Sequence, residues 1–381
     1  MKTILTVVGA RPQFIKAAAI SRAIRTQFSG ALKEIIVHTG QHYDENMSAI
    51  FFEELNIPKP DYNLEVGSET HGAQTGRMMQ ELEHIIIDEK PDCVLVYGDT
   101  NSTLAGALTA AKLGVHVVHV EAGLRSFNKR MPEEINRITT DHVSSLLFAS
   151  SDAAIVNLKK EGFDLDNAAP YHIDNPKLFR CGDVMFDNSL FFRKAAIERS
   201  TIFRDHKIDE DNYILVTIHR DNNTDDASRL NAIFSTLGHI AQAHHADIVL
   251  PLHPRTKKMM DRLLTAEVIS LLENERIKIL PPVSYFDMIA LEAKSQLLMT
   301  DSGGLQKEAF FFQKPCIILR HETEWIELVQ NGNAMIADAD EAKILEAFKH
   351  YKSSPELSWP SFYGDGHAAE FICSSISEFL A

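Results

Sequence analysis

The sequence predicts an α/β fold made of two doubly wound domains, and three observations carry that prediction. Short β-branched or leucine-rich runs alternate with longer amphipathic stretches, and the alternation restarts near the middle of the chain. A chain of 381 residues, with 45% of them hydrophobic, also has material for two or three cores at roughly 150 residues per domain.

In chain order, ILTVV (4 to 8), EIIVH (34 to 38), CVLVY (93 to 97) and HVVHV (116 to 120) are continuous apolar runs, the pattern of buried parallel strands. Between them FIKAAAISRAIRTQF (14 to 28) and TGRMMQELEHIIIDEK (75 to 90) place apolar residues at helical spacing with charges opposite. The cycle restarts with YILVTIHR (213 to 220), DIVLPLH (247 to 253), IKILPPV (277 to 283), SQLLMTDSGG (295 to 304) and PCIILR (315 to 320). These runs divide the chain into a first domain over 1 to 185, a second over 186 to 365, and a C-terminal helix over 366 to 381 that crosses back to the first. Loops at the carboxyl ends of both sets of strands are expected to open into an interdomain cleft, the natural ligand site.

Charge and cysteine usage exclude several classes. With 38 Lys and Arg against 53 Asp and Glu, the formal charge is −15, so nucleic acid and anionic membranes are not expected partners and any anion must be held by a few placed cations. Cys93, Cys181, Cys316 and Cys373 form no CxxC pair, which argues for a cytoplasmic chain without a disulfide framework or zinc knuckle. The apolar run that starts the chain is too short for a signal core, and no run of about 18 apolar residues occurs.

The chemistry-bearing motifs sit where strands end. Gly9-Ala10-Arg11-Pro12-Gln13-Phe14-Ile15-Lys16 is a glycine turn entering a helix, with Arg11 and Lys16 able to hold a phosphate. It matches neither GxGxxG nor GxxxxGK[ST], so a nicotinamide fingerprint and a Walker loop are both disfavoured. Asp99 follows the third run and Glu121 the fourth. Glu133 and Glu134 open a later helix, where acids also complement the helix dipole. In the second half His219 and His253 end two strands, and Asp301-Ser302-Gly303-Gly304 forms a second turn whose N–H groups can cradle phosphate. Glu308, about one helical turn beyond Gly304, is placed to accept from a ribose diol. Asp338-Ala339-Asp340 looks like a DxD metal motif but precedes a helix, so capping explains it better. His116/His119 and His244/His245 lack companion ligands, and no metal site is expected.

Taken in order, GARPQFIK, HTGQH, GDTNST, HVEAGLRS, MPEEINR, TIHRDN, DSGGLQKEA and LRHETEW resemble the non-hydrolysing UDP-N-acetylglucosamine 2-epimerase family over essentially the whole chain. The resemblance implies two Rossmann-like doubly wound domains of the glycosyltransferase-B type and a homodimer. It also implies inversion at C2 of a UDP-activated 2-acetamido sugar, interconverting UDP-GlcNAc and UDP-ManNAc, without metal or nicotinamide, with the same inversion on UDP-2,3-diacetamido-2,3-dideoxyglucuronate as the alternative. It carries catalytic roles onto Asp99, Glu121, Glu133 and His219. Substrate or UDP contacts fall on Arg11, Lys16, Arg125, His253, Ser302, Gly303, Gly304 and Glu308, with Lys16 and Arg125 shaping the site. The common RPE of the family is RPQ here, and the common TTERPE segment reads HETEWIE at 321 to 327. That variant is similar to the branch acting on UDP-2,3-diacetamido-2,3-dideoxyglucuronate. After Gln41 and His42 the sequence continues Tyr43-Asp44, a departure from the stretch that contacts an activating second substrate molecule in some members.

Chemistry narrows the reaction. The C2 proton of a 2-acetamido sugar is not alpha to a carbonyl, so something must acidify it. Oxidation of a neighbouring alcohol needs a dinucleotide site that the first turn lacks. Breaking the C1–O bond to UDP acidifies C2–H as the bond ionises, giving a 2-acetamidoglucal and UDP; re-addition after protonation of the opposite face gives the epimer. Several acids can supply the two proton transfers. Three rivals remain at this level: a glycosyltransferase of the same architecture, a hydrolysing epimerase that releases UDP, and a non-catalytic UDP-sugar sensor.

Overall fold

The computed structural model describes residues 1–40 and 58–381. Gln41 and His42 of the HTGQH run therefore lie outside the described residues. The chain divides into two compact units, Met1–Asn188 with Ser361–Ala381, and Ser189–Pro360.

In the first unit the described residues form a parallel sheet from β1 (Lys2–Val8), β2 (Leu32–His38), β3 (Tyr62–Asn63), β4 (Cys93–Tyr97), β5 (His116–Ala122), β6 (Leu146–Ala149) and β7 (Lys177–Arg180). Its spatial order is β3-β2-β1-β4-β5-β6-β7. The chain winds outward from β1, then returns to set β4 against the other side of β1, with Ile4 beside Cys93 and Val7 beside Val96. Winding reverses between β1 and β4, so their carboxyl-end loops diverge and leave a crevice. Leu5, Val7, Val94 and Val96 bury one sheet face against Met78, Leu82 and Ile86 of the helix His71–Glu89. That helix is amphipathic, as its 75 to 90 pattern suggests. The predicted helix over 14 to 28 begins earlier, at Arg11, and its last turn, Ile24–Phe28, is a π-helix.

The C-terminal helix Ala368–Leu380 packs on Arg11–Ala23 and buries Ile372, Cys373 and Ile376. Asp187 fastens its start by accepting the N–H groups of Ala368 and Ala369 at 3.2 and 2.7 Å. Those two bonds satisfy backbone donors that a helix N-terminus otherwise leaves orphaned.

In the second unit β8 (Ile214–Thr217), β9 (Ile248–Pro251), β10 (Ile277–Leu280), β11 (Leu297–Thr300), β12 (Cys316–Ile318) and β13 (Ala334–Ile336) lie in the order β10-β9-β8-β11-β12-β13, again all parallel. Here the reversal falls between β8 and β11, whose ends carry His219 and Ser302. Val216, Leu250, Met299 and Ile317 face Leu230, Phe234, Leu237 and Phe348 in its core.

One core acid is an anomaly. Glu292, on the helix Tyr285–Lys294, is 1% exposed and its Oε2 has no hydrogen-bond partner. Burial first, and then the nearby charge of Glu308, push its carboxyl well above the usual carboxylate range. The unfolded carboxyl ionises above about pH 4.3 while the folded one stays protonated, so this group costs stability increasingly as pH rises beyond that point. Glu292→Gln is therefore expected to raise stability at pH 8 and to leave it nearly unchanged at pH 4.5. Thermal denaturation at the two pH values checks this; equal or lower stability of the variant at pH 8 would count against it.

Candidate functional site

Three turns of the first unit converge at the β1/β4 reversal. Gly9 is required by close approach, because a Cβ there would lie 2.1 Å from both Ser102 Oγ and Thr39 Oγ1. Behind it, the buried Gln13 accepts the N–H groups of Gly9 (2.8 Å) and Ala10 (3.0 Å) through Oε1. Its Nε2 donates to the Tyr97 carbonyl (3.0 Å) and Thr103 Oγ1 (2.9 Å). An amide supplies both an acceptor and donors here, which gives the RPQ departure a local structural role tying the first turn to the end of β4. Arg11 lies exposed on the same turn.

Lys16 projects from the first helix onto the carboxylate of Glu121, both side chains largely buried. Glu121 has φ +74, and the β5–β6 register shifts between Val120 and Ala122. A non-glycine residue in the left-handed region at a bulge costs roughly 1–3 kcal/mol and persists only where its surroundings fix it. The carboxylate is thereby turned off the strand and onto Lys16.

Gly98 precedes Asp99 with φ +62, and a Cβ there would meet Lys16 Nζ at 3.2 Å and Glu121 Oε2 at 3.3 Å. Gly98→Ala is thus expected to lower stability by about 1–2 kcal/mol through backbone strain and to perturb the Lys16–Glu121 pair. Turnover of the sugar nucleotide that the sequence resemblance implies should fall at least tenfold; a variant with normal turnover would show that this pair does not need its present geometry.

Asp99 is paired with Arg137, whose other arm reaches Glu134 at 2.7 Å. Asn136 donates to the Asp99 carbonyl at 2.9 Å. The two adjacent glutamates of MPEEINR part company here. Glu134 is buried and accepts the N–H groups of Ser126 and Phe127, each at 2.9 Å. Burial would raise its carboxyl, but the Ser126 N–H and Arg137 outweigh burial and hold it below the usual range. Glu133, one residue earlier on the same helical turn, is exposed. Glu134 therefore fastens a loop, and Glu133 is the one accessible to a ligand.

Arg125 has a side chain only 1% exposed and is spent on Asp141 (2.7 Å) and, through two bonds of 2.7 and 2.6 Å, on Glu161. This placement suits the site-shaping part of its expected role rather than direct substrate contact. Asp141 also accepts from His119 Nδ1 at 2.7 Å and from the Gly123 N–H at 3.1 Å. Burial would raise Asp141, yet His119 and Arg125 prevail and keep it below the usual carboxylate range.

The second unit holds the other predicted residues. Asp301, fully buried, accepts the N–H groups of His219 and Arg220 and the Nδ2 of Asn223, all at 3.1 Å. Its Oδ1 also lies 3.2 Å from His219 Nδ1. Burial raises this carboxyl, but His219, Arg220 and Asn223 more than compensate and it stays low. His219 is thus held at the end of β8 with its ring partly exposed. His253 caps the helix Pro254–Leu263 by accepting the Arg255 N–H at 3.2 Å.

Ser302 caps the helix Gly303–Phe311. Neither Gly303 nor Gly304 has a positive φ, and a Cβ on either would meet nothing nearer than 3.6 Å. The fold therefore does not require glycine at either position, whereas a ligand approaching the open N–H groups of a helix start would. Around this turn Arg320 and Glu324 form a bidentate pair at 3.0 Å, and Trp325 Nε1 donates to the Gly303 carbonyl at 2.8 Å. Lys307 lies over the Trp325 ring, 4.2 Å from its centroid. Glu308, nearly buried, follows on the same helix.

Sequence reasoning did not select Arg137, Asp141, Asp301, Arg320, Glu324 or Trp325. The signal available for Arg137 was its i,i+3 spacing from Glu134, and for Asp301 its place just before the Ser-Gly-Gly turn. Of the acids that suggested a DxD motif, Asp340 caps the helix Glu341–Lys352 and Asp338 pairs with Arg229. Among the described residues no three His, Cys, Asp or Glu side chains gather as a metal site.

Residues 25–377 match the family model described as UDP-N-acetylglucosamine 2-epimerase. The chain is 50% identical over 379 residues to the UDP-2,3-diacetamido-2,3-dideoxy-D-glucuronate 2-epimerase of Pseudomonas aeruginosa, covering 99% of both chains. It is 40% identical over 373 residues to the UDP-N-acetylglucosamine 2-epimerase of Methanococcus maripaludis, covering 97% of each. In structure it is similar to the UDP-GlcNAc 2-epimerase of Methanocaldococcus jannaschii in complex with UDP-GlcNAc and UDP, with a TM-score of 0.83, 40% identity, and coverage of 99% of this chain and all of that one.

Proposed function

The chain belongs to the UDP-N-acetylglucosamine 2-epimerase family and is a UDP-sugar 2-epimerase, and from that premise we propose how its residues invert C2 and which sugar it takes. The carrying observation is the pair of acids at adjacent strand ends of the first unit, Glu121 on Lys16 and Asp99 on Arg137. Each carboxylate sits beside a cation at a strand end, a placement that suits proton transfer at C2 as C1–O breaks.

In the forward direction one acid takes the C2 proton while the C1–O electron pair leaves with the UDP β-phosphate oxygen, giving the 2-acetamidoglucal. A second acid, entering this step in its protonated form, then delivers a proton to the opposite face of C2, the first acid releases the proton it took to solvent, and the same phosphate oxygen re-adds to C1. Asp99, Glu121 and Glu133 supply the proton transfers. Lys16 pairs with Glu121 and orients its carboxylate, and Arg11 contributes positive charge toward the departing diphosphate. In the second unit Ser302, Gly303 and Gly304 present backbone N–H groups to the diphosphate, His219 and His253 stand beside it, and Glu308 accepts from the ribose. Arg125 shapes the turn that carries Glu121.

For the sugar we favour the UDP-2,3-diacetamido-2,3-dideoxyglucuronate over UDP-GlcNAc, the interconversion with UDP-ManNAc being the second reading. The 50% identity to an enzyme named for the uronate, against 40% and 41% to two named for UDP-GlcNAc, supports this choice, as does the HETEWIE variant around the Gly303 turn. The same proposal has the enzyme act in the cytoplasm as a homodimer, feeding an activated sugar into polysaccharide assembly, the setting that the family resemblance implies.

Positional isotope exchange tests the bond-breaking step. With 18O in the bridge between C1 and the β-phosphorus, reversible C1–O cleavage should scramble label into the non-bridging β-oxygens. Epimerisation with the label held in the bridge would overturn the elimination route.

A further inference from the structure

His119 is fully buried inside the first unit, and the proton chemistry assigned above makes no use of it. Its Nδ1 lies 2.7 Å from Asp141 Oδ1 and its Nε2 lies 2.8 Å from the Gly98 carbonyl. Both partners are acceptors. The Asp141 carboxylate also pairs with Arg125 at 2.7 Å and accepts the Gly123 N–H, so it faces His119 as an acceptor, and a carbonyl has no proton to give. A neutral imidazole would therefore turn a lone pair onto one of two buried acceptors at close range. Only the imidazolium, with an N–H on each nitrogen, satisfies both.

The location of these bonds gives them a second meaning. One arm of His119 ends on Gly98, the residue before Asp99. The other ends on Asp141, whose second oxygen accepts the N–H of Gly123, two residues past Glu121. The strained Glu121 backbone is thus clasped on both sides, by His119 two residues before it and by Gly123 after it, and both clasps meet at one carboxylate. Asn157 adds a bond of 3.1 Å to the Gly123 carbonyl, and the Gly98 N–H donates to the Val120 carbonyl at 3.0 Å.

We propose that His119 is a buried imidazolium that, together with Asp141, positions the turns bearing Asp99 and Glu121 relative to each other. His119 and Asp141 are positioning residues that act through the two acids. The proposal rests on the reading of those acids as proton-transfer groups, but the charge state of His119 can be measured without reference to any activity.

The test uses full-length protein labelled with 15N-histidine and long-range 1H–15N correlation spectra at pH 7.5, with His119→Gln identifying the His119 signals. Both His119 nitrogens are expected at the shifts of protonated imidazolium. A deprotonated nitrogen on His119 would overturn the proposal. In parallel, Asp141→Asn should lower kcat at least tenfold while KM and UDP affinity stay within twofold, and should return His119 to a singly protonated ring. A kcat within twofold of the original would show that the brace does not serve the acids. Should the protein epimerise neither sugar, the functional reading fails while the spectra still decide the charge state; should Asp141→Asn not fold, the spectra of the unaltered protein decide it.

Discussion

Glu121→Gln should lose two to four orders of magnitude in kcat while UDP binds within a few-fold of its original affinity. The size follows from removing a proton-transfer group from the reacting centre, typically a factor of about 10²–10⁴. The selectivity follows from where the groups sit. Glu121 and its partner Lys16 belong to the first unit, whereas the Ser302 to Gly304 turn assigned to the diphosphate belongs to the second. Glutamine keeps the side-chain length, and the backbone at φ +74 is held by bonds that do not involve the carboxylate. Steady-state rates together with UDP titration calorimetry check this, and near-normal kcat would remove Glu121 from the chemistry.

Gly304→Leu should abolish measurable UDP binding, a weakening of at least fiftyfold, with Tm changed by no more than a degree or two. A Cβ at this position would meet only Ser302 Oγ, at 3.8 Å, so the protein leaves space where a side chain begins. Leucine also has a far better helix propensity than glycine, which offsets any small local cost at the helix start. What the side chain would fill is the space over the first N–H groups of the helix Gly303–Phe311, where a phosphate is stabilised by both hydrogen bonds and the helix dipole. Calorimetry with UDP decides it. Retained affinity would show that the diphosphate is held elsewhere.

Long, continuous apolar runs made much of the fold legible. Cys93–Tyr97 matches its predicted span, and Lys2–Val8 and His116–Ala122 extend theirs by only two residues, because strands buried on both faces leave an uninterrupted hydrophobic signature. Strands β3, β6, β7 and β13 went unpredicted. They are two to four residues long, and runs such as LLFA and KLFR cannot be told from fragments of a helix by periodicity alone. The sheet order was beyond the sequence for a related reason, since pairing β1 with β4 depends on contacts nearly ninety residues apart.

At the site, glycine turns and acids at strand ends were visible as motifs. Their division of labour was not. Glu133 and Glu134 are chemically identical neighbours, and only the helix phase, with Glu134 at the third position after Met131, turns one inward onto the Ser126 and Phe127 N–H groups. His119 looked like a histidine without companions because its partner Asp141 lies 22 residues away and its other partner is a backbone carbonyl. Lys16 read as a phosphate contact from its place in the first helical turns. Its engagement with Glu121 depends on a bulge that no local pattern announces.

Inversion at C2 by proton exchange, with UDP as the leaving group, can be followed by proton NMR in D2O. Incubated with the UDP-2,3-diacetamido uronate, the protein should yield the C2 epimer with deuterium at C2 and no net accumulation of UDP, with slower or no conversion of UDP-GlcNAc. If neither sugar exchanges its C2 proton and label passes instead to an added acceptor, the protein is a transferase and C2 inversion is ruled out.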